Sequence, residues 1–179
     1  MKRQWLISCF TCVFGLTVFS HAQAVPTATK SGTLQLGIGG SIISPDYSQY
    51  KPKAISIYTD FDFRRHIGIE GEIHYDLTKP SGVGESTYLV GPRLFMTRSI
   101  FTPYAKALIG MGTISYQLPP KPNYSENYMA YAFGGGVDIR VTHYLNVRAI
   151  DFELQKWPGF TPHTLSPYVT TIGVAYSFP

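Results

Sequence analysis

From Thr33 to Phe178 apolar and polar residues alternate with a period of two, the repeat of strands whose two faces meet different surroundings. In Ala54–Phe63 the residues Ile55, Ile57, Thr59, Phe61 and Phe63 alternate with Ser56, Tyr58, Asp60 and Asp62. In Ile67–Asp76 the apolar Ile67, Ile69, Ile73 and Tyr75 alternate with Gly68, Glu70, Glu72 and His74. Ser86–Met96, Ala132–Val141 and Tyr168–Phe178 repeat the pattern, and Thr33–Ile42, Pro103–Thr113 and Tyr144–Leu154 carry weaker versions. The last of these slips by one near Ala149-Ile150, where a β-bulge would absorb the extra residue. The alternation therefore predicts eight strands.

The connections carry a second signal, because long and short ones take turns. Ile43–Lys53, Leu77–Glu85, Ile114–Tyr128 and Gln155–Leu165 are long; Arg64–His66, Thr97–Thr102 and Thr142–His143 are short. An up-and-down barrel with short periplasmic turns and longer outer loops has that order. A soluble barrel of lipocalin type would also alternate, but with its apolar face inside. The polar face decides the sidedness. It sets Asp60, Asp62, Glu70, Glu72, Arg93, Lys106, Asp138, Arg140 and Arg148 among glycines such as Gly37, Gly91, Gly110, Gly112 and Gly134. A water-facing surface gains nothing from so many glycines, which weaken strands, whereas the crowded lumen of a small barrel needs small residues beside large charged ones. The opposite face is aliphatic and aromatic with almost no charge, as hydrocarbon contact requires. The expected fold is all-β: an eight-stranded antiparallel up-and-down transmembrane β-barrel over residues 33–178. Tyr75, Tyr88, Tyr131 and Tyr168 near one end, and Phe61, Phe63, Tyr176 and Phe178 near the other, suggest two aromatic girdles.

Composition agrees: aromatics make up 15% of the 179 residues and charged residues only 15%, which excludes general disorder. The N-terminus reads as an export signal. Lys2 and Arg3 precede an apolar run from Trp5 to about Phe19, followed by Ala22-Gln23-Ala24, an A-x-A cleavage site. Residues 1–24 are thus expected to be a cleaved signal peptide, and 25–32 a short linker. Cleavage would remove both cysteines, Cys9 and Cys12, leaving no thiol or disulfide, and would also remove two of the 15 basic residues. The remaining charge is nearly balanced, which is no signature of nucleic-acid binding.

Gly91-Pro92-Arg93, Pro103-Tyr104 opening a strand, and the near-terminal Tyr176-Ser177-Phe178 complete the picture. With the export signal and eight amphipathic strands, the chain resembles the small OmpA-like outer-membrane barrels from about Gly32 to Phe178. It departs from them in that Pro179 follows Phe178, where such barrels often end on the aromatic residue read by the insertion machinery. The resemblance implies a location in a Gram-negative-type outer membrane. It also implies lipid and lipopolysaccharide as surroundings and the outer-membrane insertion machinery as a partner during assembly.

Counted along their strands, Glu70, Glu72, Arg93, Lys106, Asp138, Arg140 and Arg148 share the inner face, mainly toward the periplasmic half. Acids and bases can pair there, giving a lumen charge cluster that fills the barrel and fixes strand register. A gate whose pairs rearrange to pass small solutes or ions is the alternative. A third reading, a lipid-modifying enzyme, would rest on His74 with Glu72 or Asp76 and a serine such as Ser86. His66, His143 and His163 show no ligand spacing, so neither a metal centre nor a cofactor is expected. The long loops hold Tyr116, Tyr124, Tyr128, Trp157 and Phe160 among prolines, a combination suited to contact with an extracellular ligand. The sequence therefore reads as a monomeric barrel with a structural or adhesin-like surface role and no catalysis.

Overall fold

The computed structural model describes residues 32–46, 51–78, 82–116, 124–160 and 164–178. The expected signal peptide, all but the last residue of the expected linker, Pro119, Pro120, Pro122, Pro162, His163 and Pro179 lie outside the described residues.

Eight strands close into a barrel in sequence order: β1 (Thr33–Ser44), β2 (Lys53–Asp62), β3 (Ile67–Asp76), β4 (Val83–Phe95), β5 (Phe101–Tyr116), β6 (Tyr124–Arg140), β7 (Leu145–Lys156) and β8 (Tyr168–Ser177). Every neighbouring pair is antiparallel, and β1 closes the sheet against β8 with Gly39 opposite Gly173. Closure leaves the wall without an edge, so the ladder satisfies its own backbone donors and acceptors.

The two faces separate as the alternation requires. Ile38, Val90, Leu94, Phe133 and Ile172 point outward and are more than half exposed. Asp60, Glu70, Glu72, Arg93 and Arg148 point inward and are buried. Leaving a Leu, Ile or Phe side chain in water forgoes about 1.5–3 kcal/mol each, so a wall built of them is at rest only against hydrocarbon. Tyr75, Tyr88 and Tyr168 stand exposed toward the long-loop end, with Tyr131 half-buried beside them. At the short-turn end Tyr144 stacks on Tyr176 at 6.1 Å and Tyr176 meets Phe178 edge-on at 5.1 Å.

The bulge falls where the alternation slips. Arg148 pairs with Asp138 and Ile150 with Val137, so Ala149 is the extra residue on β7. Beyond it Asp151 and Glu153 face the lumen.

One connection differs from the sequence reading. In the stretch taken as a loop from Ile114 to Tyr128 the described residues are sheet: Ile114 pairs with Glu126, Ser115 with Ser125 and Tyr116 with Tyr124. Cross-strand side chains extend the ladder there, since Tyr116 and Tyr124 stack at 4.7 Å and Thr113 Oγ1 donates to Asn127 Oδ1 at 2.8 Å. A tilted strand crosses the hydrocarbon in about 9–11 residues. The 10 residues of β2, β3 and β8 match that span, whereas β5 has 16 and β6 has 17. With β4 paired alongside up to Val83 opposite Tyr116, a three-stranded sheet rises above the rest of the wall at the long-loop end.

Candidate functional site: the filled lumen and the tall sheet

The lumen is filled by an ion-pair network contributed by six strands. Arg148 on β7 sits at its centre: Nη2 lies 3.1 Å from Asp60 Oδ2, Nη1 2.8 Å from Glu70 Oε1 and Nε 3.3 Å from Asp138 Oδ1. Its guanidinium lies 3.7 Å from the centroid of the Tyr58 ring. Tyr58 itself lies across Gly37, where any Cβ would collide with the phenol ring. Arg93 on β4 reaches Asp60 at 3.1 Å, Glu70 at 3.4 Å and Asp138 at 2.5 Å, with the Tyr104 ring 4.2 Å from its guanidinium carbon. Lys106 on β5 contacts Glu72 and lies 3.2 Å from Glu70, 2.5 Å from Asp151 and 3.1 Å from Glu153. With Asp62 3.7 Å from Arg93 and Asp151 3.5 Å from Arg148, each cation serves four carboxylates. Such charges are tolerable away from water only because they are mutually paired.

Six of the seven expected lumen charges meet here: Glu70, Glu72, Arg93, Lys106, Asp138 and Arg148. Arg140 does not. Its parity on β6 matches Asp138, but it is the last residue of the strand and stands exposed at the short-turn rim. Water solvates its guanidinium there, so no carboxylate has to. Asp151 and Glu153 join the network although no sequence reading singled them out. Their inward aim follows from the bulge, which restores their parity.

Above the charges the filling turns apolar. Trp157 packs with Leu89, Leu108, Ile114, Ala130, Ala132 and Leu165, and is fully buried. It was expected as an outer-loop contact residue, and the structure corrects this. The chain bends back after β7 through a Trp157–Leu165 bridge, which turns the indole inward. Gly112 makes room for it, since a Cβ there would lie 2.6 Å from the indole. Trp157 Nε1 donates to Gln155 Oε1 at 3.0 Å, and Gln155 Nε2 donates to Glu153 Oε1 at 2.6 Å, tying the apolar plug to the charges below.

Of the other contact candidates, Tyr116, Tyr124 and Tyr128 are on the tall sheet, and Phe160 is in the connection after β7. Tyr116 and Tyr124 form the stacked pair, with Tyr124 about half exposed. Tyr128 donates to Glu126 and meets Phe160 edge-on at 5.4 Å. Phe160 and Tyr128 are half-buried because they also pack on the plug.

The candidate catalytic grouping rearranges. Ser86 lies on the outward face of β4, opposite to the face that Thr87 presents to His74. The hydroxyl beside His74 is Ser41's, 3.3 Å from Nδ1, while Nε2 lies 3.2 Å from Glu72 Oε1. A serine, a histidine and a carboxylate are therefore in line, but Ser41 and His74 are buried inside the wall.

A closed, filled, eight-stranded antiparallel barrel with an apolar exterior is the fold of the small outer-membrane barrels. Three solved structures show the likeness. Neisserial surface protein A superposes with a TM-score of 0.60 at 15% identity, over 83% of this chain and 97% of that one. Ail, the attachment invasion locus protein of Yersinia pestis, solved in complex with the heparin analogue sucrose octasulfate, gives 0.57 at 14% identity over 83% and 99%. The N-terminal β-barrel domain of Pseudomonas aeruginosa OprF gives 0.57 at 10% identity over 82% and 99%. No family model matches the sequence, and no curated protein matches it.

Proposed function

We propose that this chain is an integral, monomeric barrel of a Gram-negative-type outer membrane whose task is surface interaction, carried by the tall β4–β6 sheet. The single observation that supports it is the pairing of a lumen filled by side chains with an aromatic outer sheet. Tyr116, Tyr124 and Tyr128 are set above the wall on strands six or seven residues longer than the span needs, taking about ten residues for the crossing, and Phe160, beyond the end of β7, packs edge-on against Tyr128. Tyrosine rings on a rigid sheet supply large contact area at low entropic cost. Export by residues 1–24, with cleavage after Ala24, belongs to the same reading, as do lipopolysaccharide around the rim and the insertion machinery during assembly. Ail's complex with a polyanionic glycan analogue makes a sulfated glycan a natural first probe.

The test uses cells displaying the full chain. Outer-membrane fractions are run with and without boiling, and the same cells are measured for adhesion to immobilised heparin and to extracellular-matrix protein. The expected result is a band that shifts on boiling, with adhesion to at least one coating that Tyr124→Ala and Phe160→Ala reduce while the shift persists. A shifting band without adhesion to either coating would overturn the surface role and leave the barrel as a purely structural element. A soluble, non-shifting protein would overturn the barrel reading itself.

A further inference from the structure

We infer that Glu72 and His74 of β3 and Glu153 of β7 form a binding site in the lumen for one divalent transition-metal cation. The site rests on the barrel reading above, which supplies the closed lumen.

The geometry comes first. His74 Nε2 lies 3.2 Å from Glu72 Oε1 and 3.9 Å from Glu153 Oε1. One donor atom from each of the three residues lies within 4.8 Å of the others, and all three side chains are buried. A tetrahedral ion about 2.0–2.1 Å from its ligands holds them roughly 3.3 Å apart, so the His74–Glu72 pair already fits and Glu153 has to draw in from 3.9 Å. The ligands are also braced. Ser41 Oγ sits at His74 Nδ1 and is itself 2.7 Å from Thr171 Oγ1. Ser56 donates to Glu72 Oε1 at 3.2 Å, and Gln155 donates to Glu153 Oε1. Outer partners of this kind fix the orientation of an imidazole and its carboxylates.

Charge is the second, independent argument. The network joins Asp60, Asp62, Glu70, Glu72, Asp138, Asp151 and Glu153 to Arg93, Lys106 and Arg148. Seven carboxylates, six of them buried and Asp62 partly exposed, stand against three permanent cations, and a buried excess of acids calls for further positive partners or for protons. His74 Nε2 is aimed between two carboxylate oxygens and pairs with Glu72 Oε1 only if the ring nitrogen carries a proton. A nitrogen lone pair facing oxygens is repulsive unless a proton or a metal ion stands between them.

A neighbouring group, Glu70, Glu72 and Asp151, satisfies the same spacing, but the ammonium of Lys106 already occupies its centre. Lys106 takes Oε2 of both Glu72 and Glu153, which leaves both Oε1 atoms to face His74. One imidazole with two carboxylates suits zinc-like ions, whereas magnesium and calcium favour all-oxygen sites. The set escapes sequence reading because its members sit on β3 and β7, joined only by closure of the barrel.

The plug and the charges seal the lumen, so the ion must be offered during folding. Full-length mature chain is refolded into detergent with Co²⁺ alone as the probe, desalted, and assayed for retained metal, for the visible absorption of a tetrahedral cobalt site, and for the heat shift. The expectation is about one equivalent of Co²⁺ per barrel, falling at least tenfold in His74→Gln and in Glu153→Gln with the heat shift kept, in line with the roughly 10–100-fold loss that even a supporting residue costs a metal site. Tyr88→Phe, on the outer wall, should retain the metal. A heat-shifting wild type that holds no Co²⁺ would overturn the site and assign the excess charge to bound protons. Equal retention by the two variants would overturn the ligand set. A wild type that shows no heat shift would instead overturn the barrel on which the site rests.

Discussion

The lower and upper halves of the lumen solve the same problem, filling a narrow tube without leaving holes, by opposite means. Around Arg148 and Lys106 the filling is charged and directional, each cation locked to carboxylates on neighbouring and opposite strands. Around Trp157 it is apolar and shape-driven, with the indole seated on Gly112 among Leu89, Leu108 and Leu165. The charged half specifies which strand lies opposite which, because a slip of one residue would turn a carboxylate out and leave a guanidinium unpaired. The apolar half specifies little, but it tolerates exchange and keeps water from the charges below. Register is set low in the barrel and dryness is set high.

Substitutions can break that contrast, beginning with the largest effect. Arg148→Met removes one of the two guanidinium groups shared by Asp60, Glu70 and Asp138, leaving Arg93 alone to serve all three, so we expect a loss of about 3–5 kcal/mol, read as a lowered urea midpoint of the heat-shifted band in vesicles. Trp157→Ala removes the apolar stopper and should cost about 3 kcal/mol, the low end for a buried tryptophan. It should also open the mouth enough for water-soluble reagents to reach the lumen, which Arg148→Met should not. Equal reagent access in both variants would sink the division of labour. Tyr116→Ala should cost about 1 kcal/mol through the lost stack with Tyr124, detectable as faster proteolysis of the tall sheet with the barrel midpoint unchanged. Arg140→Ala should change stability by no more than about 0.5 kcal/mol, the usual range for a solvated surface residue. A larger loss in that last variant would place Arg140 back in the network.

Most of the wall was legible in the sequence because a period of two is a local property. Residues two apart share a face whatever the rest of the chain does, so the inner and outer sets of β2, β3 and β4 follow from counting alone. The slip at Ala149 was visible for the same reason. Its consequence was not: parity counted from Leu145 says nothing of Asp151 and Glu153 once an extra residue intervenes. Arg140 shows a second limit, since parity gives the face of a residue but not its height, and height decides whether water is present. Trp157 shows a third. Its burial depends on the space above Gly112, 45 positions away along the chain, and Pro158 beside it looks like any loop proline. The tall sheet went unread because serine, asparagine and tyrosine form loops as readily as strand edges, and only cross-strand pairing separates the two.

The seam between β1 and β8 has a consequence for how the barrel comes into being. These strands carry the two ends of the barrel sequence, so theirs is the contact of greatest sequence separation and the costliest loop to close. Gly37, Gly39 and Gly40 line one side of it and Gly173 the other. On its inner face the middle of that seam is Gly37, Gly39, Gly173 and Ala175, so close backbone pairing there waits on few inward rotamers, and the Tyr58 ring covers Gly37. Closure of this most non-local pairing is then expected to come last in folding. Its clock would be read by the rate at which the heat-shifted band forms in Gly39→Val, which should be slower than wild type even where the final yield is the same.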